Sequence, residues 1–223
     1  APVEISAPEK PKEFIPAYKP PYPLDPAFGP VTKAQHIAPS LIGPEQRKVI
    51  DVSMKRSREV IVEAYKDFER VFGRSYPPFL EDYEIEDAET VLVCMGANTI
   101  NAEYVVKKAR EAGEKVGLAH IRTFRPFPRD ELRRALDKVK VVGVIDFDFS
   151  FGSATNGGVI YNEVRSALYD LDSRPLMINF LAVGGRDVGL QQYRDMLHTM
   201  SSAARVDRVE KEVQWIGLRG RDL

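Results

Sequence analysis

A chain of 223 residues, 43% hydrophobic and with a net charge of −1, has room for one α/β domain of about 130 residues and an extended lead-in. The near-neutral balance excludes a global field that would draw the chain to nucleic acid or to an acidic membrane surface. No run of about 18 apolar residues occurs, so no transmembrane helix is expected, and no secretory signal is visible.

The sequence begins at Ala1, without a methionine and inside a proline-rich stretch, which suggests a processed chain or a piece of a longer one. Residues 1–44 hold 11 of the 16 prolines. Proline removes backbone donors and fixes φ, so this region is expected to be an extended arm. It also carries Phe14, Ile15, Tyr18, Tyr22, Leu24 and Phe28, more apolar surface than a solvated linker would hold. The arm is therefore expected to lie against another domain or subunit. Residues 45–89 follow as a long helix and a connector. Pro44 suits the first turn of that helix. Ile50, Met54, Ile61, Tyr65, Phe68 and Phe72 recur at helical spacing, interrupted by Ser57, and Gly73 can close the helix. Residues 74–89 read as a connector with prolines and acids.

Residues 90–204 alternate strand and helix. Apolar runs at 91–95, 116–121, 141–146 and 176–181 are buried strands. Helices are expected near 100–112, 130–138, 159–171 and up to 204. Four strands alternating with helices specify an α/β fold, an open, mainly parallel sheet covered by helices on both faces. Residues 205–223, charged but with Val213, Trp215, Ile216 and Leu218, are a docking tail or an edge strand. Cys94, the single cysteine, allows no intrachain disulfide and no four-cysteine cluster, and points to the cytoplasm. Inside the first apolar strand, it reads as a small buried hydrophobe.

Candidate site residues gather where strands end. Gly96-Ala97-Asn98-Thr99 could offer backbone N–H groups to an anion, or could be a tight turn with Asn98 or Thr99 as helix cap. Arg122 and Arg125 flank the stiff Pro126-Phe127-Pro128 turn. They could grip a carboxylate or phosphate, or pair with acids of a partner chain, and a structural or interface role is favoured. Asp146 could be an acid–base group or metal ligand, but with no second carboxylate or histidine at readable spacing an N–H-binding, loop-ordering role fits better. In Gly184-Gly185-Arg186-Asp187, glycines would allow close approach of another backbone, Asp187 would cap the last helix and Arg186 would project as an interface or ligand contact. His36, His120 and His198 show no metal spacing. No phosphate-binding fingerprint is present.

Together these stretches resemble a known family. Val91 to Met95 with Gly96, Lys115-Val116-Gly117-Leu118, Arg122, Arg125-Pro126-Phe127-Pro128, Asp146, Ser150, Gly152 and Gly184-Gly185-Arg186-Asp187 look like the C-terminal half of the alpha subunit of 2-oxoacid:ferredoxin oxidoreductases, of the pyruvate synthase type. Pro20-Pro21-Tyr22-Pro23-Leu24-Asp25 in the arm, Phe72-Gly73-Arg74, and Val213-Gln214-Trp215-Ile216 in the tail fit as well. The resemblance implies a transketolase C-terminal-like domain within a thiamine diphosphate enzyme. That enzyme converts a 2-oxoacid and coenzyme A to an acyl-CoA and carbon dioxide and passes electrons to ferredoxin. Thiamine diphosphate, Mg²⁺ and [4Fe-4S] clusters are then expected in partner domains or chains and none in this chain. The partners would be thiamine-binding, pyrimidine-domain and ferredoxin-like chains, and this chain would be a structural and assembly part without reacting groups. The family usually carries a basic residue after Asp146, where this sequence has Phe147-Asp148, and the loop Ser153-Ala154-Thr155-Asn156 is longer than usual. Two other readings stand beside it: the C-terminal domain of a transketolase-type 2-oxoacid dehydrogenase, and a stand-alone small-anion binding module.

Overall fold

Proline placement shapes the first part of the chain. A computed structural model describes residues 5–30 and 39–220; His36, the arm residues 1–4 and 31–38, and the tail residues 221–223 lie outside the described residues. The chain divides into two units, Ala1–Tyr76 and Pro77–Leu223.

In the first unit the arm is not wholly extended. A short helix α1 (Glu9–Phe14) forms with Pro11 in its first turn, where a missing N–H costs little. A single 3₁₀ turn at Pro26–Phe28 is capped by Asp25, whose carboxylate accepts from the Ala27 N–H at 2.9 Å. The long helix α2 (Pro39–Phe72) begins ahead of the expected start, with Pro44 inside it. Proline at that point forfeits one helical hydrogen bond, and the helix continues past it. Gly73, at φ 70°, closes α2 by donating to the Glu69 carbonyl. Phe68 and Phe72, one turn apart, stack at 4.5 Å. Phe14 of α1 meets both edge-on at 5.7 Å, and the Arg74 guanidinium lies over both rings. This aromatic cluster fastens α1 to α2.

In the second unit, six strands among the described residues form one sheet in the order β1-β3-β2-β4-β5-β6. The four expected strands are β2 (Thr90–Met95), β3 (Val116–Ile121), β4 (Val141–Asp146) and β5 (Leu176–Leu181), all parallel. Two short margin strands complete the sheet: the first was not read from the sequence, and the second is the edge strand offered as one reading of the tail. β1 (Leu80–Tyr83) lies in the expected connector and runs antiparallel to β3. β6 (Val213–Trp215) comes from the tail and pairs parallel with β5. Such short, half-polar segments carry too few residues for a period to register.

Helices α3 (Thr99–Glu111) and α6 (Leu190–Val206) cover one face, and α4 (Arg129–Leu136) and α5 (Val159–Leu168) the other. Alternate residues of the central strands divide between the two layers. Leu92, Cys94 and Ile145 pack with α3 and α6, while Val91, Val93, Val142 and Val144 pack with α4 and α5. This two-sided burial is why the strands read as continuous apolar runs. The chain leaves β2 for β3 on one side and then crosses to β4 on the other, so the topological switch lies between the ends of β2 and β4.

Gly143, in the middle of β4, sits where a Cβ would fall 2.6 Å from Met200 Sδ and 2.9 Å from the Phe180 ring. Gly143→Ala is expected to lower the stability of the sheet unit by about 1–3 kcal/mol through overpacking; denaturant unfolding of the two proteins checks this.

Candidate functional site

The loops that follow β2, β3, β4 and β5 share one edge of the sheet, and the candidate anion and interface residues lie on them or at their ends. The site is best built from Asp146, the last residue of β4 and fully buried. Its Oδ1 accepts from the Ile160 N–H at 2.8 Å, and its Oδ2 from the Tyr161 N–H at 3.0 Å and from Asn179 Nδ2 at 2.9 Å. Asn179, buried in β5, also donates to the Val144 carbonyl and accepts from the Gly158 N–H at 2.9 Å. Asp148 accepts from the Val159 N–H at 2.9 Å. The four leading N–H groups of α5, which no helical carbonyl can reach, are thus all taken by Asp146, Asp148 and Asn179. Asp146 orders the loop through N–H binding. The sequence offered Asp146 as a candidate but passed over Asn179, whose signal was its polarity inside the apolar run Leu176-Met177-Ile178-Asn179-Phe180-Leu181.

Gly158 stands so close to this carboxyl that a Cβ would lie 2.1 Å from Asp146 Cγ. Its backbone, at φ −81° and ψ 172°, is open to any residue, so crowding alone demands glycine. Burial pushes the Asp146 carboxyl up to about 6, against the pull of the three hydrogen bonds and with Asp148 adding to the rise.

The arginines after β3 are engaged within the chain. Arg122 sends Nε and Nη2 to one oxygen of Glu81 on β1, at 3.0 and 2.6 Å, and His120 Nδ1 stands 3.2 Å from the same oxygen. Burial lowers the His120 pKa below its ordinary value, with Glu81 opposing and Arg122 adding to the shift. Arg125 lies over the Phe124 ring at 4.1 Å and reaches Glu163 on α5. Glu81 was hidden in the unrecognised strand β1.

At the β2 end, Asn98 occupies the cap position of α3 in helical conformation and makes no side-chain cap bond. Its carbonyl accepts from the Tyr193 hydroxyl at 3.2 Å. Thr99 is buried, and its Oγ1 has no partner among the described residues. Neither side chain performs the capping expected of it, because the turn is closed by backbone bonds from the N–H groups of Thr99, Ile100 and Asn101 to the carbonyls of Gly96, Ala97 and Asn98.

One expectation for the Gly184-to-Asp187 turn is corrected. Gly184 and Gly185 have open space around them within this chain, and their φ values of 97° and 75° already call for glycine. Asp187 does not cap α6. Buried Val188 draws the chain inward first, and Gly189 takes the cap position, its N–H donating to Gln192 Oε1 at 2.6 Å. Arg186 donates to the Gly217 carbonyl and so braces the tail just beyond β6. The same tail is held by Glu212, which accepts from the Tyr161 hydroxyl at 2.6 Å and pairs with Arg165. Trp215 packs edge-on to Phe149 at 5.1 Å, and Phe149 to the exposed Phe151 at 4.6 Å. Among the described residues no group of His, Cys, Asp and Glu is arranged to hold a metal ion, and no helix is long and apolar enough to cross a membrane.

A sequence profile described as pyruvate:ferredoxin oxidoreductase core domain II matches residues 88–193, a span that holds every candidate residue above. Subunit PorA of pyruvate synthase from Pyrococcus horikoshii is 39% identical over 220 residues, 98% of this chain and 54% of that protein. The chain belongs to the 2-oxoacid:ferredoxin oxidoreductase family. Ketoisovalerate oxidoreductase subunit VorA from the same organism is 33% identical over 208 residues, 93% of this chain and 52% of that one. The chain thus spans about half the length of the curated oxidoreductase subunits it matches. Among solved structures, a split-gene transketolase, described as an inactive beta4 tetramer, gives a TM-score of 0.45 at 17% identity, covering 60% of this chain and 44% of that one.

Asp146→Ala would leave the Ile160 and Tyr161 N–H groups and the Asn179 amide without their acceptor. A loss of about 3 kcal/mol or more is expected, and Gly158→Ala should weaken the same joint; thermal melting of both variants tests this. Carbon-detected titration of the Asp146 carboxyl should show a midpoint of about 6. Because the folded value lies above the unfolded one, this group's contribution to stability is complete below pH 3.8 and is lost as pH rises through about 6. A midpoint at or below the ordinary value would mean that the hydrogen bonds outweigh burial. Arg186→Ala removes one exposed hydrogen bond, so unfolding should shift by only about 1 kcal/mol while amide exchange at Trp215 and Ile216 accelerates.

Proposed function

We propose that this chain is a structural and assembly part of a cytoplasmic, thiamine-diphosphate-dependent 2-oxoacid:ferredoxin oxidoreductase, which makes an acyl-CoA and carbon dioxide from a 2-oxoacid and coenzyme A and reduces ferredoxin. Pyruvate is the substrate this reading favours. The carrying observation is the similarity to pyruvate synthase subunit PorA along 98% of the chain, arm and tail included, at 39% identity against 33% for the ketoisovalerate subunit. The geometry of the loop edge supports the same reading. Asp146 is spent on the start of α5, Arg122 on Glu81, Arg125 on Glu163 and Arg186 on the tail, so these groups build a rigid surface and not a reacting centre. Thiamine diphosphate with Mg²⁺, and the [4Fe-4S] clusters, belong in this reading to thiamine-binding, pyrimidine-domain and ferredoxin-like partners.

Purification of the tagged chain from its native host, with mass spectrometry of what accompanies it, tests the assembly. Cysteine-rich ferredoxin-like and thiamine-binding chains are expected, and the complex should reduce an artificial electron acceptor with pyruvate and coenzyme A faster than with the branched 2-oxoacid. Lipoyl-bearing partners would favour a 2-oxoacid dehydrogenase, and a chain that purifies alone would favour an independent anion-binding module. Titration of the isolated chain with thiamine diphosphate and Mg²⁺ is expected to show no saturable heat; binding near one equivalent would overturn the non-catalytic role.

A further inference from the structure

We draw no further inference here: the strongest candidate, the groove of about 780 Å³ between α3 and α6, sets Lys115, Arg194 and Arg205 among Glu89, Glu114 and Asp195 and so selects no one ligand charge, and nothing in the structure shows what covers it.

Discussion

The first four N–H groups of α5 must find acceptors inside the protein, and the loop edge of the sheet is arranged around that requirement. Asp146 and Asn179 stand on neighbouring strands and meet in a hydrogen bond under the start of the helix. One link therefore ties β4, β5 and α5 together and sets where the 147–158 loop must leave and return. Gly158 is crowded against the carboxyl, so the approach of helix to strand has no slack. A buried acceptor of this kind stabilises the helix start through its bonds while burial works against its charge, and both effects act on one carboxyl group.

Outward from this joint, the charged groups of the edge pair with one another. Glu81 gathers Arg122 and His120 across the β1–β3 margin, and Glu212, just before β6, gathers Tyr161 and Arg165 of α5. Short margin strands taken from the connector and the tail close the sheet on both sides. What projects beyond this paired framework is aromatic: Phe151 is exposed and Phe149 and Trp215 lie beside it. Several charges of this edge are thus met within the chain, and its aromatic groups stand beside them.

The central strands and four covering helices of the sheet unit were legible because two-sided burial writes itself into apolar runs and helical spacing writes itself into stripes. β4 and β5 appear at the bounds read from the sequence. β1 was not legible, since a strand of four residues with two acids among them carries no period, and β6, three residues long, was legible only as one of two readings of the tail. α1 was hidden because the prolines around it argue for extension, although a proline in a first turn does not forbid a helix. In the site, the role of Asp146 followed from its place at a strand end, but its partner Asn179 sits well beyond it in sequence and only the sheet register brings them together. Asp187 looked like a cap because it preceded a helical pattern; the burial of Val188 moved the true start beyond it.

The position of Cys94 has a consequence of another kind. It lies in β2, wholly enclosed between the central strands and α3 and α6, and burial pushes its thiol well above the ordinary range. A thiol in that state is neither nucleophile nor ligand while the sheet is closed. It can meet a labelling reagent only when the middle of the sheet opens, which is the costliest fluctuation available to such a core. The native chain thus carries a single chemical clock for its own global opening.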